Sequence, residues 1–319
     1  MKAIQVHRFG GPEVLELAEV AIPSPAPDEV LIRVASAGVN FAETLMRQDN
    51  YVASYELPAT PGSEIAGTVE AVGSEVEHHR PGDRVGAVLA AARRLTGGYA
   101  EYAVAPASVT VPLPDELGFD EAVGLLVQGL TALHLVREAD PRDHSILVTA
   151  GGGGVASILI QLARRAGARE IVAAASSANK RAHALRVGAD RAVDYGEWEA
   201  LAPTLVYESV GGEVLGQCLA LLGFKGTMVV YGALNLQSFS LGLPELKRMV
   251  FSNQALRGFS FGSLLQPDAM KRDLSYLFGL AASGGLAVPI GGRFALADAA
   301  DAHRQLQDRT SIGKLVLHC

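Results

Sequence analysis

Short apolar or alternating runs, separated by glycine and proline, make up the first 115 residues of the chain. Four of these runs are β-branched or alternate between apolar and polar positions, at 29–39, 64–73, 83–89 and 99–105. Turn-forming residues such as Pro61-Gly62 and Pro81-Gly82-Asp83 bound them. Many short strands at this spacing predict a compact, barrel-like β domain.

From about residue 145 the pattern changes to an alternation of strands and helices. Apolar runs typical of buried parallel strands lie at 146–150, 171–175, 192–195, 205–210 and 226–232. Helical segments separate most of them, which predicts a doubly wound parallel sheet with helices on both faces. Only nine residues separate Tyr195 from Leu205. Because a parallel crossover usually needs about ten or more residues, we expect a single degenerate turn there.

A helix over about 120–137, capped by Asp120, is predicted to connect the two patterns. After about residue 262 the chain is predicted to form a helix, a strand, a second helix and a closing strand, at 268–282, 293–295, 297–308 and 314–318. We expect this tail to pack on the N-terminal domain. The predicted organisation is therefore a β domain, 1–120, completed by 262–319, and an α/β domain, 121–261.

Composition and charge narrow the classes of protein to consider. Hydrophobic residues make up 49% and charged residues 19% of the chain, which is typical of a globular protein. The net charge of −7 disfavours a nucleic-acid partner. No apolar stretch is expected to span a bilayer, and no signal peptide is recognised at the N-terminus. Two cysteines, Cys218 and Cys319, cannot form a disulfide framework, so a soluble protein of the cytoplasm is expected.

A glycine-rich loop follows the predicted strand at 146–150 and precedes a predicted helix. It has the pattern G-x-G-x-x-A, from Gly151 through Gly153 to Ala156. Gly151 permits a tight turn, and Gly153 lets the backbone approach a pyrophosphate. Gly154 and Val155 then open the helix, whose first N–H groups are free to bind the anion. The loop therefore predicts a dinucleotide site.

The choice of dinucleotide depends on the end of the next strand. Enzymes that use NAD place a carboxylate there, on the ribose 2′-hydroxyl. The stretch 175–181 carries no carboxylate but contains Ser176, Lys180 and Arg181. Glu170 lies at the opposite end of the strand. Hydroxyls and cations suit a 2′-phosphate, so NADPH is the predicted cofactor.

Several motifs along the whole chain, taken together, are highly specific. They are VNFAETLMRQDNY (39–51), PGSEIAGTVEAVG (61–73), GDRV (82–85), GGYAEY (97–102), VQGLTALHLV (127–136), the glycine loop, VYESVGG (206–212) and GKLVL (313–317). With them the chain resembles the zinc-free quinone oxidoreductase (zeta-crystallin-like) branch of the medium-chain dehydrogenase/reductase superfamily. The resemblance implies a GroES-like β-barrel catalytic domain, a Rossmann domain that binds NADPH, and hydride transfer to a quinone or another α,β-unsaturated carbonyl.

The resemblance also implies cofactor-binding roles for particular residues. It places Asn40 and Thr131 on the nicotinamide side. Its positions for the 2′-phosphate match Ser176, Lys180 and Tyr195, and its C-terminal phosphate contact matches Arg309. The cofactor cleft is expected to be lined by the backbone at Ser209-Val210 and Tyr231-Gly232-Ala233 and by the segment Phe259–Phe261.

On the substrate side, the motifs offer donors for an oxygen that gains negative charge. Asn40, Arg47, Tyr51 and Tyr99 are candidates, and the loops 50–58 and 89–96 are expected to shape the pocket. Glu43 stands where the family usually has aspartate. Its role stays open between a contact in the site and a structural anchor for its loop.

No metal site is expected. Zinc-dependent relatives place a cysteine and a His-Glu pair around the ion, whereas the corresponding segments here, 37–40 and 62–64, contain neither cysteine nor histidine. The eight histidines show no ligand spacing with a thiol or carboxylate.

Two alternatives to a quinone or enone reductase remain open from the sequence. One is an enoyl reductase that acts on a polyketide or fatty acyl intermediate, and the other is a non-catalytic NADPH-binding protein. The expected partners are a small-molecule substrate and a second copy of the chain, with neither nucleic acid nor membrane. The run 234–243 alternates in polarity and is predicted to form an edge strand through which a homodimer pairs.

Overall fold

The computed structural model describes residues 1–92, 94–198, 201–232, 240–264 and 266–319. These residues divide into two compact units. Unit 1 comprises Met1–Leu130 and Leu264–Cys319, and unit 2 comprises Thr131–Ser263.

Fifteen strands and nine α-helices lie within the described residues. The strands are β1 (Lys2–Gln5), β2 (Glu16–Glu19), β3 (Glu29–Val39), β4 (Glu64–Val72), β5 (Arg84–Val88), β6 (Tyr102–Pro106), β7 (Thr110–Pro112), β8 (Ser145–Val148), β9 (Glu170–Ala174), β10 (Arg191–Val193), β11 (Leu205–Glu208), β12 (Thr227–Val230), β13 (Ala255–Gly258), β14 (Ile290–Ala295) and β15 (Lys314–His318). The helices are α1 (Phe41–Met46), α2 (Phe119–Gly124), α3 (Leu130–Glu138), α4 (Gly154–Arg165), α5 (Ala178–Arg186), α6 (Gly212–Leu221), α7 (Leu243–Ser252), α8 (Pro267–Ala282) and α9 (Ala299–Gln307).

Unit 1 is built on a seven-stranded sheet in the order β14-β15-β3-β4-β5-β7, with β6 also paired to β3. All of its pairings are antiparallel except that of β14 with β15. Alternate residues of the long strand β3, such as Val30, Ile32 and Val34, are buried in an apolar core. The predicted barrel-like β domain is confirmed, and the C-terminal strand β15 pairs with β3 in its sheet.

Unit 2 contains a six-stranded sheet in the order β10-β9-β8-β11-β12-β13, in which every pair is parallel. This is the predicted doubly wound arrangement. The strand order reverses between β8 and β11, and in sheets of this kind ligands bind at that point, outside the carboxyl ends of the strands. The sheet is covered by apolar residues such as Val172, Leu215 and Met228.

The helix predicted over 120–137 begins earlier in the structure than the sequence indicated. Gly118, not Asp120, is the N-cap of α2. The Asp120 carboxylate instead accepts hydrogen bonds from Arg293 Nε at 2.7 Å and pairs with His318 Nε2 at 3.0 Å. A π-helical turn, Leu125–Gly129, joins α2 to α3.

That joined helix bears on the expectation that no apolar stretch spans a membrane. By length and composition alone, Phe119–Glu138 is long and apolar enough to cross a bilayer. In the structure, 56% of its most apolar window is buried within the protein, as in the core helix of many globular domains.

Two predictions lie partly outside the described residues. In the predicted edge strand 234–243, residues up to 239 are not described, Ser240–Gly242 form no strand, and Leu243 begins α7. In the described sheet, β13 forms one edge and β10 the other, and the sequence did not predict β13. In the short connection before β11, residues 195–196 form a turn, and 199–200 are not described.

Candidate active site

The glycine loop lies at the carboxyl end of β8, where the strand order of the sheet reverses. Ala150 adopts a left-handed conformation with φ of +50°, and the N–H of Gly153 donates to its carbonyl oxygen at 2.7 Å. The N–H of Gly151 donates to Ala174 O at 2.9 Å, which ties the loop to β9. Gly153 is the N-cap of α4, so Gly154 and Val155 form its first turn. This backbone points free N–H groups of a helix start at an incoming anion.

Side chains leave no room for a larger residue within this loop. A Cβ added to Gly151 would lie 2.9 Å from Ala173 Cβ, and one added to Gly152 would lie 2.7 Å from Lys180 Cγ. The aliphatic stem of Lys180 therefore covers the loop at Gly152. The loop fits a dinucleotide phosphate, because only glycine lets the backbone approach so closely.

Two of the residues expected at the 2′-phosphate, Lys180 and Tyr195, lie against the glycine loop. Tyr195 Oη accepts a hydrogen bond from the N–H of Ala150 at 3.0 Å, so Tyr195 lies against the loop beside which Lys180 packs. Ser176 is exposed just before α5. Ser177 Oγ caps that helix by accepting from the N–H of Lys180. Arg181, the second cation of this stretch, pairs with Asp194 at 2.5 Å.

The residues expected to line the cofactor cleft from β11 and β12 contact one another. The N–H of Ser209 donates to Thr149 Oγ1 at 2.9 Å, and a Cβ on Gly232 would overlap the Ser209 carbonyl. Burial raises the pKa of Tyr231, whose hydroxyl is hydrogen-bonded to Ser209. Phe259 is half-buried and donates its N–H to Val230 O at 2.8 Å. Phe261 begins a 3-10 turn, Phe261–Leu264, and Ala233 lies outside the described residues.

Sequence reasoning did not single out Glu208, at the carboxyl end of β11. Its side chain is fully buried, and its Oε1 accepts from the N–H groups of Val210 and Gly211 at 2.6 and 3.0 Å. Burial raises the pKa of this carboxyl. The signal was present, because a charged residue inside the apolar run 205–210 needs a partner.

In unit 1, the start of α1 is held by Glu43. One oxygen of its carboxylate accepts from the N–H of Asn40 at 2.7 Å and from Tyr99 Oη at 2.9 Å. The other accepts from Ser63 Oγ at 2.7 Å and from the N–H of Ser63. Tyr99 Oη also contacts His303 Nε2 at 3.1 Å. Four contacts to a wholly buried side chain favour the structural-anchor role for Glu43.

Burial controls ionisation throughout this group. It raises the pKa of Glu43, an effect that the hydrogen bonds from Ser63 and Asn40 oppose, and raises the pKa of Tyr99 well above its usual value. Burial also lowers the pKa of His303 to about 3, so its imidazole is neutral at pH 7.

The side chain of Asn40 lies between a carboxylate and an ammonium group. Asn40 Nδ2 donates to Glu64 Oε1 at 2.7 Å, and Asn40 Oδ1 accepts from Lys314 Nζ at 2.7 Å. Lys314 also pairs with Glu64 Oε1 at 2.5 Å. The sequence did not indicate this buried pair, although both residues stand in motifs that were recognised.

The remaining substrate-side candidates are placed differently. Arg47 is wholly buried, and its two terminal nitrogens donate to Gly10 O at 3.0 Å and to Gln307 Oε1 at 2.8 Å. Burial lowers its pKa. Tyr51 is 37% exposed, and its partial burial raises the pKa of the hydroxyl. Of the residues expected to bind the cofactor, Thr131 is buried in α3, and Arg309 is exposed with φ of +53°. Arg47 is therefore closed to solvent, whereas Tyr51 is exposed enough for a substrate to contact it.

The described residues contain no group of three or more His, Cys, Asp and Glu side chains that could hold a metal ion. The segments where zinc-dependent relatives place their ligands instead surround the ammonium of Lys314, 2.5 Å from Glu64. A divalent cation beside a fixed positive charge would be repelled. These residues therefore do not fit a zinc ion.

Comparisons with known proteins agree over the whole chain. The family model of the alcohol dehydrogenase GroES-like domain matches residues 26–115, and that of the zinc-binding dehydrogenases matches 154–278. A quinone oxidoreductase of Pseudomonas aeruginosa is 34% identical over 99% of this chain and 99% of its own length. The crystal structure of Escherichia coli quinone oxidoreductase complexed with NADPH has 28% identity, a TM-score of 0.90 and full coverage of both chains. A mycobacterial protein solved with NADPH has 33% identity and a TM-score of 0.89, also with full coverage of both chains.

Proposed function

The chain belongs to the zinc-free quinone oxidoreductase branch of the medium-chain dehydrogenase/reductase superfamily, and on that premise we propose that it is an NADPH-dependent reductase of quinones or other α,β-unsaturated carbonyls. The observation that carries the proposal is the loop 150–153 with Lys180 and Tyr195 against it. NADPH supplies the hydride when it is bound.

The proposed cofactor site uses the residues at the carboxyl ends of the strands of unit 2. Gly154 and Val155, in the first turn of α4, offer backbone N–H groups to the pyrophosphate, and Gly151 and Gly153 let the backbone approach it. Lys180, Ser176 and Tyr195 contact the 2′-phosphate, with Lys180 as the cation, because its stem lies over the loop at Gly152. The remaining proposed cofactor contacts are Asn40, Thr131, Ser209, Tyr231, Gly232, Phe259, Phe261 and Arg309.

On the substrate side, we assign Asn40 and Tyr51 to direct contact with the reactants. When a hydride adds to an enone or quinone, the carbonyl oxygen gains negative charge and needs a donor. Tyr51 has a hydroxyl on a half-exposed ring, and Asn40 has a second Nδ2–H besides the one given to Glu64. Glu43 and Arg47 serve as anchors, because the Glu43 carboxylate and the terminal nitrogens of Arg47 are hydrogen-bonded to other parts of unit 1.

We also propose that the protein is a homodimer. The helix α7 exposes an apolar stripe, in which Leu243, Leu246 and Val250 are 63%, 49% and 64% exposed and Phe251 is 81% exposed. The neighbouring strand β13 pairs only with β12 among the described strands. An uncovered stripe beside a free sheet edge suits a twofold contact with a second copy.

The proposed cellular location is the cytoplasm. The two cysteines are free thiols, which suits a reducing compartment.

The experiment that tests the proposed function is steady-state oxidation of NADPH with a panel of acceptors. Simple quinones and linear enones are expected to be reduced. If only enoyl thioesters react, the enzyme is an enoyl reductase. If the protein binds NADPH but oxidises it with none of these acceptors, it is a non-catalytic NADPH-binding protein and the proposal fails.

A further inference from the structure

A lysine ammonium is fully buried at the N-terminal end of β15. Lys314 is 1% exposed, and its partner Glu64 is 0% exposed. Nζ donates to Val39 O at 3.2 Å, to Asn40 Oδ1 at 2.7 Å and to Glu64 Oε1 at 2.5 Å. An ammonium has three N–H donors, so all of its hydrogen-bonding capacity is used within the protein. Lys314 therefore has no donor left for a substrate.

The sheet register explains why this cation meets Asn40. Strand β15 pairs antiparallel with β3, with Leu315 opposite Val39. Lys314 and Asn40, each one residue beyond that pair, are therefore brought side by side. Glu64, the first residue of β4, comes from the strand on the other side of β3.

These contacts fix the orientation of the Asn40 carboxamide. Lys314 can only donate, so the atom facing it must be the oxygen Oδ1. Glu64 is ion-paired and accepts only, so the atom facing it must be Nδ2. The other Glu64 oxygen accepts from the N–H of Val127 at 2.7 Å, which fixes the carboxylate in turn. A Cβ on Gly38 would overlap Glu64 Oε1, so the backbone of β3 also confines that carboxylate.

We propose that Lys314 is a positioning residue, whose buried ammonium orients the Asn40 carboxamide. It holds the Asn40 carboxamide so that one Nδ2–H binds Glu64 and the other is presented to the reactants. The inference rests on the proposed function only in assigning Asn40 to the reactants. The donation to Oδ1 also polarises the amide and strengthens the remaining N–H as a donor.

The first test observes the carboxamide without any cofactor. The chain has five asparagines, so ¹⁵N-asparagine labelling gives five side-chain signal pairs. The pair of Asn40 is the one that Asn40→Ala removes. Exposed Asn50 and Asn179 are internal controls in the same spectrum. The Asn40 protons are expected to exchange with solvent at least about tenfold more slowly than those of the two controls.

The matched variant removes both charges together, as Lys314→Met with Glu64→Gln, so that no unpaired charge stays buried. Its Asn40 protons are expected to exchange at least about tenfold faster than in the unmodified protein. The control pair is Arg94→Met with Glu29→Gln, an ion pair of unit 1 at 2.5 Å whose carboxylate is 7% exposed. That pair should leave the Asn40 signals unchanged.

The second test separates positioning from general stability. The charge-paired variant is expected to lower kcat about tenfold, with NADPH affinity within about twofold of the unmodified protein. Adding the same two changes to Asn40→Ala should cause no further loss, because the pair acts through Asn40. Losses that multiply would overturn the proposal, as would an Asn40 signal that the variant leaves unchanged.

Two further outcomes keep the inference separate from the proposed function. If the unmodified protein reduces no acceptor, the proposed function fails, and if Asn40→Ala has full activity, the assignment of Asn40 to the reactants fails. In both cases the spectra still decide whether Lys314 fixes Asn40. If the charge-paired variant does not fold, the exchange rate of the Asn40 side-chain protons in the unmodified protein still tests the proposal. Asn40 protons that exchange as fast as those of Asn50 would overturn the proposal.

Discussion

Lys180 is a cationic side chain that lies over the glycine loop at Gly152. A charge-assisted hydrogen bond to a 2′-phosphate contributes ~1.5–3 kcal/mol. Lys180→Ala should therefore weaken NADPH binding about tenfold or more and leave NADH binding nearly unchanged. The measurement is titration with both cofactors. Arg186→Ala, an exposed position of the same helix α5, is the matched control and should change neither affinity. Equal affinities of the unmodified protein for NADPH and NADH would contradict the assignment.

Tyr51 tests the substrate side at the same scale. If its hydroxyl donates a hydrogen bond that strengthens as the carbonyl oxygen gains charge, Tyr51→Phe should lower kcat and kcat/KM together by about 10²-fold. NADPH affinity should hardly change. Steady-state kinetics with 1,4-benzoquinone and a linear enone measure both parameters. A loss of only a fewfold, confined to KM, would mean that Tyr51 merely packs against the substrate and that solvent supplies the proton.

His303 makes the stability of unit 1 depend on pH. Its pKa is about 3 in the folded protein, against about 6.5 in an unfolded chain. Between these values the unfolded chain binds one proton more than the folded protein. The free energy of unfolding therefore falls as the pH drops from about 6.5 towards 3, by about 1.4 kcal/mol per pH unit from this group.

His303→Gln should remove that part of the pH dependence. Denaturant unfolding at several pH values between 7 and 4.5 measures the slope. Ala302→Gly, a buried neighbour in α9, is the control for lost packing and should keep the slope of the unmodified protein. Equal slopes for His303→Gln and the unmodified protein would show that the folded imidazole is protonated.

Among the elements, the exposed stripe of α7 gives a direct prediction. Val250→Asp introduces a charge into the middle of the proposed dimer contact, and an unpaired charge buried there is unfavourable. The variant should sediment with the mass of one chain at micromolar concentration, whereas the unmodified protein should sediment as two. Leu185→Asp changes a 48% exposed apolar residue of α5 and should remain dimeric. A single-chain mass for the unmodified protein would contradict the homodimer.

The elements also show what the sequence can and cannot predict. Strand β3 was predicted with its observed bounds because its eleven residues carry a continuous β-forming pattern. Strand β13 was missed because its residues are largely exposed and lack an apolar signal. The N-cap of α2 was misplaced because Asp120 is held by Arg293 and His318, which are distant in sequence.

The same limit applies to the candidate site. The glycine loop and the absence of a carboxylate after β9 follow from local sequence, and they indicate a dinucleotide. The Lys314–Glu64 pair depends on the register between β15, β3 and β4, which no local pattern determines. Likewise, the burial of Arg47 follows from its contact with Gln307, 260 residues away along the chain.

For the whole molecule, the proposed zinc independence is tested by removing metal ions. The residues around Lys314 do not fit a divalent cation, so dialysis against a strong chelator should leave NADPH oxidation unchanged within error. Elemental analysis before and after dialysis is the control. Stoichiometric zinc that is lost together with activity would contradict both the zinc-free chemistry and the role given to Lys314.

The most direct test of the central claim is a single turnover. The purified protein, loaded with one equivalent of NADPH, is mixed with 1,4-benzoquinone, and the loss of NADPH and the appearance of hydroquinone are followed together. The account predicts that one hydroquinone forms for each NADPH consumed, much faster than without protein. NADPH that stays reduced on the protein, with quinones and enones alike, would contradict it.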